Sequence, residues 1–577
     1  MQYFLLACDY DGTLAGDGHI DDATLTALEK FRSSGRRLAM VTGRDLDDLS
    51  RDCPNLDLFE WVVAENGALL YQPTTRTERL LTRPVSAEFV QSLRTKGIEL
   101  GIGKAIVSTW TTNEAEVLKT IHEMGLELQI IFNVGRLMVL PSGVNKASGL
   151  KAALHEMRIS PQNVVAVGDA ENDHALLDFC GAGIAVANAV PMLRWKADLV
   201  TEKESGAGVR EVVRRLLDND LADLQPRLRR THLLLGRTDD GDEVRIPTNK
   251  ARILIIGPSG AGKSSLAGAI MEQLLDAHSQ FCMIDPEGDY LDFEGTISTG
   301  SQVEKPETEK VLPLLDDPRH NVVVNLVGVS AIDRPTVFHA LLAQLQAMRA
   351  RTGRPHWIMI DETHHVLPDE AGDLAHLLES LERTIFITLN PNMILPSLLD
   401  KMTAVIVLGK TPIATLRSFP GAAGLSDAFP EEHPLQEGEC LFWQRSEKRP
   451  PCYVRFTSHH TLRRHNRKYV EGKLELNRAF HFRGPDGKLN LPAQNLLSFL
   501  QIAQGIDDES WLYHLRRKDY SQWFRECIKD ADLAREAAAV EEQADVSPQE
   551  SREKFVHIIE ERYSLPVAEL RTPQATE

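Results

Sequence analysis

The chain has 577 residues, 42% of them hydrophobic and 25% charged, the proportions of ordinary globular protein, and its length sets an expectation of about three or four domains. A formal charge of −19 disfavours unselective adhesion to nucleic acid or anionic membrane. Seven scattered cysteines with no CxxC pair, no basic leader before Tyr3 and no run of about 18 apolar residues predict a cytoplasmic protein with free thiols, no secretory signal and no membrane-spanning helix.

The first apolar run, Tyr3-Phe4-Leu5-Leu6-Ala7-Cys8, reads as a strand that delivers Asp9-Tyr10-Asp11-Gly12-Thr13. Asp22 to Ser33 places Leu25, Leu28 and Phe31 at helical spacing, and Leu38–Val41 and Val164–Val167 read as further strands. Such alternation over 1–220 predicts a Rossmann-like parallel sheet flanked by helices. Residues from about 73 to 140 break the rhythm with strands and helices of their own, as an inserted α+β layer would.

Four separated pieces of this first part fit one reaction. Asp9, at the end of a strand, can attack phosphorus and become an aspartyl phosphate, dividing a hard hydrolysis into two easier steps. Asp11 is placed to protonate the leaving alcohol and then to deprotonate water, and Gly12 permits the turn that brings both acids together. Thr42-Gly43-Arg44 offers a hydroxyl donor at another strand end, and Lys146 a cation that screens Asp9 from a phosphate dianion. Gly168-Asp169-Ala170-Glu171-Asn172-Asp173 follows a further strand, and its Asp169 with Asp9 would make a hard-oxygen site for Mg²⁺. An isolated DxD or TGR is more often a solvated turn; all four in order, three directly after a strand, form a set.

The order DYDGT, TGR, Lys146 and GDAEND resembles the haloacid dehalogenase phosphatases over roughly residues 1–215. Ala64-Glu65-Asn66-Gly67-Ala68, with an insertion between the second and third motifs, is similar to the Cof-type and sucrose- or trehalose-phosphate phosphatase branch. The resemblance implies that the insertion is a cap closing over a sugar phosphate or another small organic phosphate. It makes Asp9 the nucleophile, Asp11 the acid/base, Thr42 and Lys146 phosphate binders and Asp169 a Mg²⁺ ligand. Asp173 and Asn172 support metal and phosphate, Asp11 joins the metal-site candidates, and Gly43, Arg44 and Asn66 fall on the substrate side.

From about 221 the pattern shifts. Leu221 to Arg230 reads as a polar linker, and His232–Leu235 with Glu243–Ile246 as a hairpin around Asp239-Asp240-Gly241. The strand Arg252–Ile256 then delivers Gly257-Pro258-Ser259-Gly260-Ala261-Gly262-Lys263-Ser264-Ser265, a P-loop opening an α/β domain that extends to about 455. Its backbone amides would wrap the phosphates of ATP, Lys263 would reach the β/γ oxygens and Ser264 would ligate Mg²⁺. His356–Ile360 carries Asp361 and Glu362, suited to outer-sphere Mg²⁺ contact and to polarising the attacking water. Ile284-Asp285-Pro286-Glu287-Gly288-Asp289-Tyr290 follows another strand, and Ile385–Leu389 ends at Asn390, a candidate γ-phosphate sensor. This set resembles the HerA/FtsK-type ATPases over roughly 230–455, which implies a homo-oligomer, commonly a hexameric ring, that moves DNA or serves as a platform. In that family a Gln often stands where Asn390 falls. Arg383 and Arg417 are candidates for an arginine finger.

Residues 456–577 form a third part. His459 to Lys468 is the densest basic run and reads as a linker or partner face, with nucleic-acid contact the alternative. Trp511, Tyr513, Tyr520, Trp523 and Phe524 recur near helical spacing and are expected to fill a small core in a mainly helical module. Thr572–Glu577 is expected to fray. The whole predicts a Mg²⁺-dependent phosphatase of a small phosphorylated metabolite tethered to an ATPase. The alternatives are a DNA-associated motor that trims terminal phosphates and a nucleotide-binding assembly module.

Overall fold

The computed structural model describes residues 1–562, apart from 134, 225–227, 229–231, 292, 302–303, 368–376, 423–428, 448, 457–473, 475–477, 486, 488, 529 and 544–545. The basic run His459–Lys468 and the end Thr572–Glu577 lie outside the described residues. Two compact units are formed, Met1–Gly257 with Ile270–Arg455, and Pro258–Ala269 with Phe456–Glu577.

The first unit holds two large sheets. In the front sheet the order is β12 (Leu199–Val200), β11 (Ala182–Ala185), β10 (Val164–Gly168), β1 (Leu5–Cys8), β2 (Arg37–Val41), β3 (Trp61–Ala64), β4 (Leu69–Gln72) and β5 (Thr77–Leu80). Strands β12 through β3 are parallel and β4 and β5 antiparallel. Every side chain of β1 and β10 is buried, as strands covered on both faces by helices require. The helix Asp22–Ser33 starts where the Asp21 side chain accepts the Thr24 amide at 2.8 Å, and it buries Leu28 and Phe31 on the sheet.

The inserted layer is a separate antiparallel sheet, ordered β6 (Gly101–Ile102), β7 (Val107–Trp110), β9 (Arg136–Pro141), β8 (Leu128–Asn133). The helices Ala87–Thr95 and Glu114–Glu123 pack on it through Phe89, Leu93 and Val117. The insertion therefore starts later than residue 73, because β5 extends the front sheet through its pairing with β4. The stretch expected to be a polar linker also departs from expectation. Leu221, Leu224 and Leu228 are buried in the front core.

The second sheet runs β14 (Glu243–Ile246), β13 (Leu233–Arg237), β23 (Cys452–Arg455), β22 (Glu439–Gln444), β21 (Ala404–Val407), β15 (Arg252–Ile256), β20 (Thr384–Thr388), β19 (Trp357–Ile360), β16 (Phe281–Asp285), β18 (Asn321–Asn325), β17 (Thr296–Thr299). From β21 to β17 the strands are parallel; the hairpin β13/β14 joins the antiparallel edge through β23.

The two sheets meet at the beginnings of their strands. Asn163, directly before β10, accepts the Phe4 amide at 2.8 Å and donates to the Gln2 carbonyl at 2.7 Å. Its Oδ1 lies 3.0 Å from His356 Nε2, directly before β19, and His356 Nδ1 accepts the Gln280 amide at 2.8 Å. That second bond leaves the ring proton on Nε2, so His356 donates to Asn163 as a neutral imidazole. Arg354 donates to the Arg158 carbonyl at 3.0 Å, and Gln162 to that of Ala277 at 2.8 Å. Ligands of open α/β sheets bind at the opposite, carboxyl ends of the strands. Both such edges consequently point away from this junction.

In the second unit, Phe480, Phe482, Phe499, Trp511, Tyr520, Trp523, Phe524 and Phe555 pack as an aromatic core. They come from the short sheet Phe480–Phe482/Leu491–Ala493 and from helices between Leu496 and Arg562. Tyr513, grouped with the core aromatics in the sequence, is instead half-buried.

Candidate active sites

Strand β1 ends by placing Asp9 at the carboxyl edge of the front sheet, where its amide bonds the Val167 carbonyl of β10 at 3.0 Å. Lys146 is the first residue of the helix Lys146–Met157, whose start is fixed by a reciprocal cap between Asn145 and Ser148. Lys146 Nζ lies 2.7 Å from Asp9 Oδ1 and 2.7 Å from Asp173 Oδ1, and all three side chains are 5% exposed or less. Asp173 Oδ2 accepts the amides of Asp169 and Ala170, each at 3.0 Å, and Thr13 donates to Asp169 Oδ1 at 2.7 Å. One oxygen from each of Asp9, Asp169 and Asp173 falls within 4.8 Å of the others.

Three carboxylates and one ammonium leave this buried cluster with two uncompensated negative charges when all are ionised. Burial raises Asp9 well above the usual carboxylate range; Lys146 opposes the shift, and Asp173 and Asp169 add to it. Burial likewise pushes Asp169 up to about 6, against the Thr13 hydrogen bond. Burial works against the Lys146 ammonium, but Asp173 and Asp9 outweigh it and raise its pKa. An all-oxygen donor set with surplus negative charge fits a hard divalent cation. Gly12 borders the same space. Its φ of +72° is in the glycine region, and an added Cβ would stand 2.2 Å from Asp169 Oδ2.

The structure distributes the remaining front residues unevenly. Asp11 is not in the cluster: Arg44 forks its carboxylate, with Nε 2.9 Å from Oδ2 and Nη2 2.6 Å from Oδ1. A metal-ligand role for Asp11 does not match that placement. Arg44 also pairs with Asp52 and stacks over the Tyr10 ring at 4.9 Å, so its charge is committed within the wall. Thr42 is buried, its hydroxyl accepting the Arg44 amide at 3.1 Å, and Gly43 is buried beside it. Asn172 Nδ2 donates to Asn66 Oδ1 at 3.0 Å, while Asn66 Nδ2 and Asn172 Oδ1 are buried without a hydrogen-bond partner among the described residues. Asp173 commits both oxygens, to Lys146 and to two amides, and is placed to hold the others. The sequence reading passed over Glu65. Its buried carboxylate accepts the amides of Lys104 at 2.7 Å, Ala105 at 2.8 Å and Ile106 at 3.2 Å, tying the loop after β3 to the inserted layer.

In the second unit the P-loop Pro258–Ser265 runs into the helix Lys263–Asp276. Gly260 and Gly262 have φ of +80° and +93°, which disfavours Cβ-bearing residues at those two positions. Pro258, Ser259 and Gly260 are exposed, whereas Ala261, Gly262, Ser264 and Ser265 are half-buried. The buried Lys263 sets Nζ 3.4 Å from the Pro258 carbonyl. Gly257, the last residue of its segment of the first unit, bonds the Thr388 carbonyl at 3.3 Å.

At the carboxyl edge of the second sheet, Asp361 follows the fully buried β19. Burial holds its carboxyl well above the usual range, reinforced by Asp285, Asp289 and Glu362. Glu362 adopts φ of +36°, a strained conformation for a Cβ-bearing residue, and donates its amide to Asp361 Oδ1 at 2.9 Å. Asp285, at the end of the neighbouring β16, accepts the amides of Gly288 at 2.7 Å and Tyr290 at 2.8 Å; burial pushes it up to about 6. Asn390 is exposed, and its Oδ1 caps the following turn by accepting the Asn392 amide at 2.9 Å. Arg383 lies before β20 at the opposite end and donates to Gln2 Oε1 at 2.6 Å, and Arg417 covers the Phe429 ring at 5.2 Å.

Residues 6–123 and 131–213 match the haloacid dehalogenase-like hydrolases, and a phosphoglycolate phosphatase of Methanothermobacter thermautotrophicus is 32% identical over 220 residues, 37% of this chain and 98% of the relative. The chain belongs to the haloacid dehalogenase-like hydrolase family. A phosphoglycolate phosphatase of Haloarcula marismortui is 30% identical over 220 residues, 36% of the chain and 95% of the relative. A haloacid dehalogenase-like hydrolase from Bacteroides thetaiotaomicron of known structure is 18% identical, covering 37% of this chain and 99% of that one, with a TM-score of 0.34. Residues 233–326 match the central domain of helicase HerA, so this haloacid dehalogenase-like hydrolase is fused to a HerA-like domain. Among its described residues no helix is long and apolar enough to cross a membrane.

Proposed function

We propose that the front part is a Mg²⁺-dependent phosphatase that hydrolyses a small organic phosphate monoester through an aspartyl-phosphate intermediate, and that the HerA-like part binds and hydrolyses ATP. The observation that carries the first half is the buried set Asp9, Asp169, Asp173 and Lys146, whose surplus negative charge suits a divalent cation. With Oδ1 held by Lys146, the other Asp9 oxygen attacks phosphorus while the bond to the leaving alcohol breaks. Asp11 gives that alcohol its proton and then takes one from the water that cleaves the aspartyl phosphate. Arg44 must release at least one Asp11 oxygen for this to happen. Lys146, Thr42 and Asn172 hold the phosphate oxygens, and Asn66, with its open amide, faces the organic part. Bound against Asp9 and Asp169, Mg²⁺ would supply charge neutralisation between carboxylate and phosphate.

The curated relatives act, by their names, on phosphoglycolate, which makes that ester the first to try, with sugar phosphates second. In the HerA-like part, Lys263, Ser264 and Asp361 would hold the triphosphate and its Mg²⁺, and Glu362 would polarise water. Asp9→Asn is expected to abolish ester hydrolysis and spare ATP hydrolysis, and Lys263→Ala to do the reverse. Near-normal ester hydrolysis by Asp9→Asn would sink the assignment. The HerA match also supports a second reading, a DNA-associated motor. Salt-sensitive stimulation of ATP hydrolysis by duplex DNA would favour it, and indifference to DNA would count against it.

A further inference from the structure

The junction between the two sheets contains a cleft of about 430 Å³, at the end of the strands opposite to both candidate sites. Gln2 and Asp220 come from the front part, and Asn249, Arg349, Glu382 and Arg383 from the HerA-like part. Arg349, on the helix Arg334–Thr352, gives its side-chain N–H groups to main-chain oxygens alone, those of Pro355 at 2.8 Å, Glu382 at 2.6 Å and His356 at 3.3 Å. Arg383 gives one bond to Gln2 Oε1 and stands at φ of +50°, a conformation that costs free energy for a residue with a Cβ. Among the described residues neither guanidinium has a carboxylate within ion-pair distance. The nearby acids do not make up for this: Asp220 is held by Arg36 at 3.0 Å and by the Gln2 amide, and the Glu382 side chain is exposed.

Two half-buried cations in one cleft repel each other. Burial first, and then the Arg383 charge, bring Arg349 down to about 9. A guanidinium presents a planar fork of donors matched to phosphate oxygens, and Arg349 and Arg383 together retain N–H groups that no described residue takes. We propose that this cleft binds a small phosphate-bearing anion between Arg349 and Arg383, joining the front and HerA-like parts at a site distinct from both catalytic edges. Inorganic phosphate is the product shared by the two proposed reactions, so such a site would respond to their output; the diphosphate of ADP offers the same chemistry.

Equilibrium dialysis of the full chain with labelled inorganic phosphate, and separately with labelled ADP, counts bound equivalents. Arg383→Gln removes one guanidinium while keeping an amide donor at that position, and Asn249→Asp leaves both arginines in place while adding a carboxylate to the wall. Both variants are expected to lose one equivalent relative to the native chain, or to bind it about tenfold or more weakly, because the cation pair is removed or already neutralised. Loss in the phosphate arm assigns free phosphate, and loss in the ADP arm assigns a nucleotide. Unchanged stoichiometry and affinity in both arms for both variants overturns the proposal.

Discussion

Glu65 and Gly12 show how much of the phosphatase site depends on single atoms. The Glu65 carboxylate receives three amides from the inserted layer, and its backbone, like that of Asn66, is left-handed, with φ of +50° and +53°. Glu65→Gln leaves one carbonyl oxygen and turns an NH₂ group towards those donors, which should cost about 1–3 kcal/mol. A lowered urea midpoint and a raised KM for the phosphate ester are the expected results, and an unchanged midpoint would count against the latch. Gly12→Ala places a methyl group where Asp169 Oδ2 stands, so Asp169 must move. Ester hydrolysis is expected to fall by about a hundredfold or more, read from kcat at saturating Mg²⁺. The sequence showed Glu65 only as part of a motif, because a carboxylate that closes three bonds across forty residues has no local pattern.

At the scale of elements, the helix Lys146–Met157 depends on its first turn. Asn145→Ala removes the reciprocal cap with Ser148 and should cost about 1 kcal/mol, measurable as a shift in the denaturation midpoint. Strand β19 ends among Asp285, Asp289 and Glu362 around Asp361, and Glu362→Gln is expected to slow ATP hydrolysis by about a hundredfold while ATP still binds. Loss of ATP binding in that variant would argue for a structural Glu362. The parallel strands were legible because buried runs such as Leu5–Cys8 and Trp357–Ile360 end in chemistry-bearing residues. Less legible was the beginning of the inserted layer, since Thr77–Leu80 is entirely exposed and joins the front sheet by pairing alone. The buried leucines at 221, 224 and 228 were missed because the polar residues between them dominate the local composition. Asp285 lay in a quoted segment together with Gly288 and Tyr290, whose amides it accepts, but its closeness to Asp361 comes from the pairing of β16 with β19, which no single segment contains.

For the first unit as a whole, the neutral His356 at the junction makes stability depend on pH. Burial, with Arg383, Arg354 and Arg349 nearby, lowers its pKa well below 6.5. The unfolded chain therefore binds a proton that the folded chain refuses, and stability is lost as pH falls below about 6.5, by up to about 1.4 kcal/mol per pH unit. Denaturation midpoints from pH 7.5 to 5.5 should fall more steeply for the native chain than for His356→Gln; equal slopes would remove His356 from the account. The same junction sets the direction of traffic. With Asp9 and Asp361 at outward poles of back-to-back sheets, an alcohol or phosphate leaving one mouth diffuses into bulk water before it can reach the other. That orientation works against direct passage of a metabolite from the Asp9 edge to the Asp361 edge within one first unit. A kinetic dependence of one proposed reaction on the other is then expected to run through the shared seam of strand beginnings or through the concentration of a released product.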